Sequence, residues 1–395
     1  MKAFNKFFFI AVICAGGILF QSCWKDKTVK DKGFDDIQVN ISPAFGIPLV
    51  NLKIKGEDVI KRINRDSATN SFFIEYDKND YDLCVIVYDK TNIPVVLSSS
   101  FTVFDTLVKY PLDFFGDLRK QDGWTPLVAY AMLYVDNSLA ANFNLNLKKF
   151  DYEDLYGVNK PMTIAGSLPK TGHIDAATAS GIPKRTLTID SLAVNNPFDL
   201  VFKGRDATLE FEVTSANPPG NNGRLNLNPR IKIPAHIQVD SIVRRDTTSV
   251  DLEDILQYTG DDVISIEKAT IYLKIINALP LDANVQVYFA DKDYRILDSI
   301  RNEDIFVAAG KMILSNYLVQ TPTTAEEEIS MTKEKLKKLQ STKFLIIREK
   351  FTSDNYENVK LFKSNYMDVI LSIKVDTKIN GTISEIIDDI SNYNK

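Results

Sequence analysis

The stretch AYAMLYVDNSLAANFNLNL, residues 129–147, has a close counterpart in ATIYLKIINALPLDANVQV, residues 269–287. In both, an apolar run leads to an asparagine, and a second run with alternating apolar residues follows. The asparagines, Asn137 and Asn277, lie 140 residues apart. Such runs are typical of strands, and asparagine favours the break between them. The pattern predicts a strand, a break and a strand used twice, either by duplication of one β unit or in two independent hairpins of similar chemistry.

Further runs rich in β-branched and aromatic residues occur along the chain, separated by Asp, Asn, Gly and Pro. The clearest are SFFIEYD (71–77), DLCVIVYD (82–89), ATLEFEV (207–213), ATIYLKII (269–276), NVQVYFAD (284–291), KFLIIREK (343–350) and MDVILSIKV (367–375). Helical patterns are few: Glu57 to Asn64, and Thr332 to Gln340, in which Leu336 and Leu339 are expected to pack inward. The expected fold class is therefore mainly β, with two antiparallel β-sandwich-like domains and a few short helices.

The length of 395 residues allows two domains, each with its own core. Pro and Gly are frequent around residues 166–185, which we expect to be a linker. This predicts an N-terminal β-rich domain at residues 37–165 and a C-terminal β-rich domain at residues 186–395.

The first residues have the layout of a secretory signal, in which Lys2 and Lys6 precede an apolar run from Phe7 to Phe20. This run is too short to span a bilayer comfortably. The sequence Phe20-Gln21-Ser22-Cys23 resembles a bacterial lipobox, which implies a signal peptide at residues 1–22 and lipid on Cys23. The alternative is an ordinary secretory signal in which Cys23 has no role.

The residues after Cys23 agree with a lipid anchor on a stalk. Residues 23–36 are charged and have little to bury, so we expect a flexible tether. Trp24 stands where an inner-membrane retention signal would have Asp, which favours the outer membrane. Whether the protein faces the periplasm or the cell exterior stays open at this point.

The composition excludes several classes of protein. Lysine and arginine number 47 against 52 acidic residues, and the net charge of −5 without a basic block argues against nucleic-acid binding. Cys84 is the one cysteine beyond residue 23, so the mature chain has no intramolecular disulfide, and we expect Cys84 to be a core residue of a strand. The two histidines, His173 and His236, have no ligand partner at metal-binding spacing, so we expect neither a metal nor a cofactor.

Two local patterns allow a functional and a structural interpretation. Residues 77–82, DKNDYD, group oxygen ligands as a calcium loop does, but the glycine and the distant glutamate of such a loop are missing, so a polar hairpin turn is favoured. Trp124, with Tyr130 and Tyr134 nearby, is a candidate aromatic platform for a ligand, although such residues more often lie in a core. We expect His173 to lie on the surface in a loop.

Three segments, ISPAFGIPLVNLKIKGEDVIKRI (41–63), FFIEYDK (72–78) and IEKATIYLKIINALPLDANVQVYFADKDYRILDSI (266–300), together resemble a type of uncharacterised Bacteroidetes outer-membrane lipoprotein. The resemblance implies a β-rich lipoprotein and carries no assigned activity. Asp followed by Ser or Thr and then an aliphatic residue or Thr also looks like the O-glycosylation acceptor of those bacteria. The candidate acceptors are Ser67, Thr106, Ser191, Ser241, Thr247 and Ser299. The structural alternative is that these pairs are ordinary turns and strand starts.

The function expected from the sequence is a non-enzymatic binding or scaffold role in the cell envelope. The membrane would be contacted through the N-terminal lipid, and the ligand would be an envelope protein or a glycan. The first alternative is a structural subunit of a surface fibre, similar to fimbrillins. The second is an extracellular glycan hydrolase, which would need a carboxylate pair across a cleft. A lipid carrier is no better supported.

Overall fold

The computed structural model describes residues 38–60, 72–89, 93–97, 103–112, 123–162, 168–177, 182–194, 196–217, 223–250, 252, 264–382 and 385. Strands make up most of this part of the chain, which has three short helices, and every strand pair in it is antiparallel. The expected mainly β, sandwich-like fold class is confirmed.

The elements follow one another in three groups. The chain begins with β1 (Gln38–Ile41), β2 (Ala44–Lys55) and α1 (Gly56–Ile60). The middle group is β3 (Phe72–Asp77), β4 (Leu83–Asp89), β5 (Ile93–Leu97), β6 (Val103–Pro111), β7 (Trp124–Pro126), β8 (Tyr130–Asn137), β9 (Phe143–Asp154), β10 (Asn159–Pro161), β11 (Lys170–Ile174), β12 (Lys184–Ala193), α2 (Pro197–Lys203), β13 (Gly204–Thr214) and β14 (Gly223–Pro234). The last group is β15 (His236–Val239), β16 (Ile242–Ser249), β17 (Ile264–Asn277), β18 (Asp282–Ala290), β19 (Ile296–Ser299), β20 (Ile305–Val307), β21 (Lys311–Ile313), β22 (Leu318–Thr321), β23 (Thr323–Met331), α3 (Lys333–Leu339), β24 (Phe344–Thr352), β25 (Val359–Lys360) and β26 (Tyr366–Thr382).

The same pair of sheets is built twice. In the inserted unit, residues 72–234, one sheet has the order β12, β8, β14, β4, β3 with β5 also on β14, and the other has the order β6, β13, β9 with β10 and β11 on β9. In the flanking unit, residues 38–55 and 242–382, one sheet has the order β23, β17, β26 with β1 and β2 on β26, and the other has the order β16, β24, β18 with β19 and β20 on β18. Even the helices agree, since α2 lies between β12 and β13 and α3 lies between β23 and β24. β3, which pairs with β4, has no counterpart in the flanking unit, but two independent hairpins would not share the rest of this topology, so the structure supports duplication of a β unit.

Strand pairing does not follow the boundary predicted at residues 166–185. This segment contains β11, which pairs with β9, and the start of β12, which pairs with β8. β13 and β14 also pair with strands from before the segment. At the other end, β2 pairs with β26, so the inserted unit sits between the first strands and the remaining strands of the flanking unit. The pairing partners of these strands are far away in the sequence, which is why local composition does not show them.

Asn137 and Asn277 stabilise the loops in which the chain passes from one sheet of a unit to the other. Asn137 is fully buried, and its Nδ2 donates to the carbonyl oxygens of Ala141 and Asp175, at 2.8 Å each. Its Oδ1 accepts from the backbone N–H of Leu139 at 2.8 Å. Asn277 makes the same three kinds of contact, to the carbonyls of Leu281 (2.8 Å) and Ala308 (3.0 Å) and from the N–H of Leu279 (3.0 Å). One amide thus satisfies three backbone groups where the chain crosses from sheet to sheet.

One cross-strand pair is apolar in one copy and charged in the other. The two units can be compared residue by residue when Asn137 and Asn277 are aligned. In the inserted unit, Leu145 pairs with Val213 on β13, and Val213 pairs in turn with Phe104 on β6. At the equivalent position of the flanking unit, the ladder places Arg244 opposite Glu349. Glu349 is fully buried and Arg244 is largely buried. The apolar pair shows that this architecture does not require charge at the position.

A short third sheet joins the units, because β15, the segment between them, pairs with β7 on one side and β25 on the other. Further backbone bonds cross the joint, including those from the N–H of Cys84 to the oxygen of Leu361 and from the N–H of Lys363 to the oxygen of Asp82. Apolar residues of both units belong to one continuous hydrophobic cluster. Cys84 is fully buried in β4, which confirms its expected place in the core.

The local predictions are mostly confirmed. All seven quoted runs fall in strands, namely β3, β4, β13, β17, β18, β24 and β26. Thr332 caps α3, in which Leu336 and Leu339 are buried as expected. The predicted N-terminal helix is α1, and its predicted continuation to residue 64 lies outside the described residues. Residues 78–82 form the turn between β3 and β4, so DKNDYD is the polar hairpin turn that was favoured.

Candidate binding surface

The outer surface of the large sheet of the inserted unit carries an ordered group of charged and aromatic side chains. We call it the Arg230 face. Paired residues of antiparallel strands point to the same side, so the register places these side chains together. The face consists of Phe73, Glu75, Asp89, Tyr134, Asp136, Arg185, Leu187, Arg230 and Lys232.

Arg230 forms the centre of the face. Its guanidinium donates to Asp89 at 2.8 Å and to Glu75 at 3.3 Å. It lies 5.2 Å from the centre of the Tyr134 ring and 5.7 Å from that of Phe73. Burial opposes the charge of Arg230, but the hydrogen bond to Asp89 and the nearby carboxylates outweigh it, so its pKa lies above the ordinary value. The side chain is 17% exposed and fixed on four sides, which makes it a rigid centre.

The rim of the face is more accessible. Arg185 also lies over Tyr134, 5.0 Å from the ring centre, and its Nε is 3.8 Å from a carboxylate oxygen of Asp136. Lys232 pairs with Glu75 at 3.2 Å. Phe73 is 38% exposed and Leu187 is 40% exposed. The rim therefore offers donors, acceptors and apolar carbon to a ligand.

The layer beneath the face is apolar. Val85 and Val87 of β4 are buried although they point away from the core and towards the face. In the ladder Val87 lies between Phe73 and Lys232, and Val85 lies between Glu75 and Pro234, so the carbon atoms of these neighbours are placed to cover the valines. On the corresponding surface of the flanking unit, lysine–carboxylate pairs are found, such as Lys274 with Glu326 at 2.6 Å and Lys53 with Asp368 at 3.8 Å. Among the residues that the structure describes, the guanidinium-centred cluster therefore belongs to the inserted unit.

This arrangement suits recognition of a polar ligand. Its positive groups, Arg185, Arg230 and Lys232, are matched in number by the carboxylates of the face. Ligands that carry a large charge gain little from such a balanced surface, whereas a neutral ligand with many hydroxyl groups finds both donors and acceptors. The two rings provide flat apolar area, which binding sites commonly use.

Two sites predicted from the sequence, Cys23 and Ser67, lie outside the described residues, as do the predicted signal peptide and tether. Two candidate glycosylation sites are exposed. Ser191 has a positive φ of 48° and donates to its neighbour Asp190 at 2.6 Å, and Thr247 lies on β16 at the edge of its sheet. The remaining three are half-buried: Thr106, Ser241 and Ser299. Modification at all of these positions stays a prediction.

The other residues singled out in the sequence have structural surroundings. Trp124 is buried against Phe202, with 5.7 Å between ring centres, so it is not an exposed platform. His173 is exposed as expected but lies in β11 rather than in a loop. His236 is half-buried, with Nε2 3.2 Å from Oδ1 of Asn358, and burial lowers its pKa.

The sequence does not mark Arg230 as a functional candidate, because its partners come from three other strands, β3, β4 and β8. The sequence analysis also did not predict α2 (Pro197–Lys203). The signal was present: Asn196 accepts from the N–H of Asp199 at 3.1 Å as the N-cap, and Pro197 opens the helix.

Among the residues that the structure describes, no three His, Cys, Asp or Glu side chains come together as a metal site would need. Within the same part of the chain, no helix has the length and apolar character required to cross a membrane.

The fold defines the class of this protein: it is a mainly β protein made of two copies of a two-sheet unit. No protein-family model matches the chain, and no curated protein matches its sequence. Among solved structures, it is similar to a protein of Parabacteroides distasonis ATCC 8503 that is thought to be secreted, with 15% identity, 84% of this chain and 99% of that chain covered, and a TM-score of 0.44. It is also similar to the PBSX exported protein XepA, with 8% identity, 79% and 100% coverage, and a TM-score of 0.19. TM-scores below 0.5 do not define a shared fold or function.

Proposed function

We propose that this protein is a lipid-anchored, non-enzymatic binding protein of the cell envelope, and that the Arg230 face is its recognition surface. The observation that carries the proposal is the fixed guanidinium cluster with an accessible rim. In the described part of the chain, the equivalent surface of the flanking unit lacks this guanidinium cluster, so the two-sheet architecture does not need the cluster in order to fold.

The ligand that fits best is a neutral glycan. The rim alternates basic groups with carboxylates, and both can bind sugar hydroxyl groups without an excess of either charge. Tyr134 and Phe73 offer ring surface on which the apolar side of a sugar can lie. Nucleic acid, which needs a basic surface, does not fit a balanced face.

The N-terminal sequence supports the location. Lipid on Cys23 with several acyl chains would give stable anchoring, as a single chain would not. Trp24 after the cysteine favours the outer membrane.

The direct test is binding of the purified mature chain to glycans prepared from the envelope of the producing bacterium, measured by calorimetry. Leu187→Asp alters the accessible rim, and Phe73→Ser removes ring surface beside Arg230; each should weaken binding about tenfold, a typical loss for one useful contact at a binding surface. Ile296→Asp is the matched control, since Ile296 is 59% exposed on the flanking unit. Unchanged binding by both rim variants would contradict the assignment of the face.

The non-enzymatic character is tested in the same samples. Incubation of the bound glycan with the protein should release no shorter sugars, as followed by mass spectrometry. Release that persists through purification and depends on the folded chain would make the protein a hydrolase instead.

A further inference from the structure

The turn between β9 and β10 presents apolar side chains to solvent. Leu155 is 49% exposed, Tyr156 is 84% exposed and Val158 is 52% exposed. We call Leu155, Tyr156, Gly157 and Val158 the apolar tip. A contiguous group of exposed apolar residues favours an interaction site.

The backbone of the apolar tip is fixed. Oδ1 of Asp154 accepts from the N–H groups of Tyr156 and Val158, at 2.9 Å each, and Gly157 adopts a φ of +81° that favours glycine. The N–H of Leu155 donates to the oxygen of Lys203 at the end of α2, at 2.8 Å. The side chains are therefore held outward by the turn and do not fold back onto the surface.

The charges at the base of the apolar tip neutralise one another. Lys160 lies 3.3 Å from Asp154 and 3.0 Å from Asp199, and Lys203 lies 2.8 Å from Asp199. The backbone N–H groups of the turn and Lys160 hold the pKa of Asp154 below its usual value. Contact with an apolar partner would leave no unpaired charge at this base.

The flanking unit provides an internal comparison, because the turn between β18 and β19 occupies the same place in its sheet. There Oδ1 of Asp291 accepts from the N–H groups of Asp293 (2.8 Å) and Arg295 (3.0 Å), which is the same kind of carboxylate clasp. Its residues are charged apart from Tyr294, which stacks on Phe344 with 4.4 Å between ring centres. The fold thus builds this turn with polar residues, so the apolar residues of the other copy are not needed for folding.

We propose that the apolar tip inserts into the interface of a lipid bilayer. A convex apolar tip fits a deformable partner, and the interface of a lipid bilayer is deformable. Tyrosine suits the boundary between headgroups and acyl chains because its ring is apolar and its hydroxyl is polar. The chain between Cys23 and Gln38 can extend to about 50 Å, which keeps the folded part within reach of a membrane. This inference rests on the proposed function in one respect: the lipid anchor is what keeps the protein near a membrane. The contact of the apolar tip with the bilayer does not itself require the lipid.

The test uses the mature chain from residue 23 with Cys23→Ala, so that no acyl chain contributes. Sedimentation with phosphatidylcholine vesicles should show binding, and Leu155→Ser with Tyr156→Ser should lower the partition coefficient about tenfold, since the exposed apolar area that would enter the bilayer is lost. Tyr294→Ser on the equivalent turn is the control and should bind like the parent. A tryptophan placed by Tyr156→Trp should shift its emission to the blue on vesicles.

Three results would overturn the proposal: no binding of the parent, equal binding of the double serine variant, or binding only to vesicles with phosphatidylglycerol that salt abolishes. The last would indicate attraction by charge and not insertion. If the unlipidated chain fails to bind while the lipidated chain fractionates with membranes, the apolar tip proposal fails and the anchor stands.

Discussion

Replacing Asn277 with alanine is expected to be among the most destabilising polar changes in this protein. The substitution removes two donors and one acceptor from the break between β17 and β18. It leaves the carbonyls of Leu281 and Ala308 and the N–H of Leu279 without their partner. A buried group that loses its partner costs about 1 kcal/mol or more, so the free energy of unfolding should fall by about 3 kcal/mol.

The duplication supplies a second measurement of the same quantity. Asn137→Ala removes the matching three bonds, of which only that from Leu139 is fully buried, so we expect a loss of about 2 to 3 kcal/mol. Asn144→Ala is the control because Asn144 is exposed, and it should change stability by less than about 0.5 kcal/mol.

The assay is urea unfolding followed by circular dichroism and by the fluorescence of Trp124, which is buried in the inserted unit. If Asn277→Ala and Asn137→Ala both unfold within about 0.5 kcal/mol of the Asn144→Ala control, the amides do not hold the two breaks. That result would refute the structural reasoning about the repeat.

Three further predictions concern single positions. Gly123→Ala would place a Cβ 1.9 Å from the backbone oxygen of Ser241, at a φ of +101°, and should lower the free energy of unfolding by more than about 2 kcal/mol in thermal unfolding. Gly46→Ala is the control: no atom lies within 4 Å of its Cβ, and the change should be less than about 0.5 kcal/mol. Arg244 lies opposite Glu349 in the ladder and pairs with Asp246 at 2.7 Å, so Arg244→Leu or Glu349→Leu alone should cost about 3 kcal/mol and the double variant should cost less than the sum of the two losses; a fully additive loss in the denaturation cycle would show that the two positions are not coupled. Burial, with the charge of Lys360, lowers the pKa of His236, so the unfolded chain binds the proton first as the pH falls, and the free energy of unfolding should decrease below about pH 6.5. His236→Gln should flatten the plot of urea midpoint against pH between about pH 7 and 5. An unchanged slope in this variant would contradict the prediction.

The sequence predicts the strands well because their signals are local. Apolar alternation marks β17 and β26, and a threonine cap followed by Leu336 and Leu339 marks α3. The repeat is also visible, since Asn137 and Asn277 sit at the same step of a repeated pattern.

The arrangement of the units is not visible in the sequence, because it depends on pairing between distant segments. β2 and β26 pair in the sheet although the whole inserted unit separates them in the sequence. The Arg230 face has the same origin: Arg230 meets Glu75, Asp89 and Tyr134 only across the sheet. In the sequence, each of these is one polar or aromatic residue in a strand.

The measurement that tests the central claim most directly is site-specific photocrosslinking in intact cells of the producing bacterium. A photoreactive phenylalanine at Leu187 places the probe on the rim of the Arg230 face, and the same probe at Ile296 is the control. The account predicts that the probe at Leu187 yields a discrete, glycan-containing adduct that the probe at Ile296 does not. Equal adducts from both positions, or none from Leu187 while the protein is membrane-bound and folded, would contradict it.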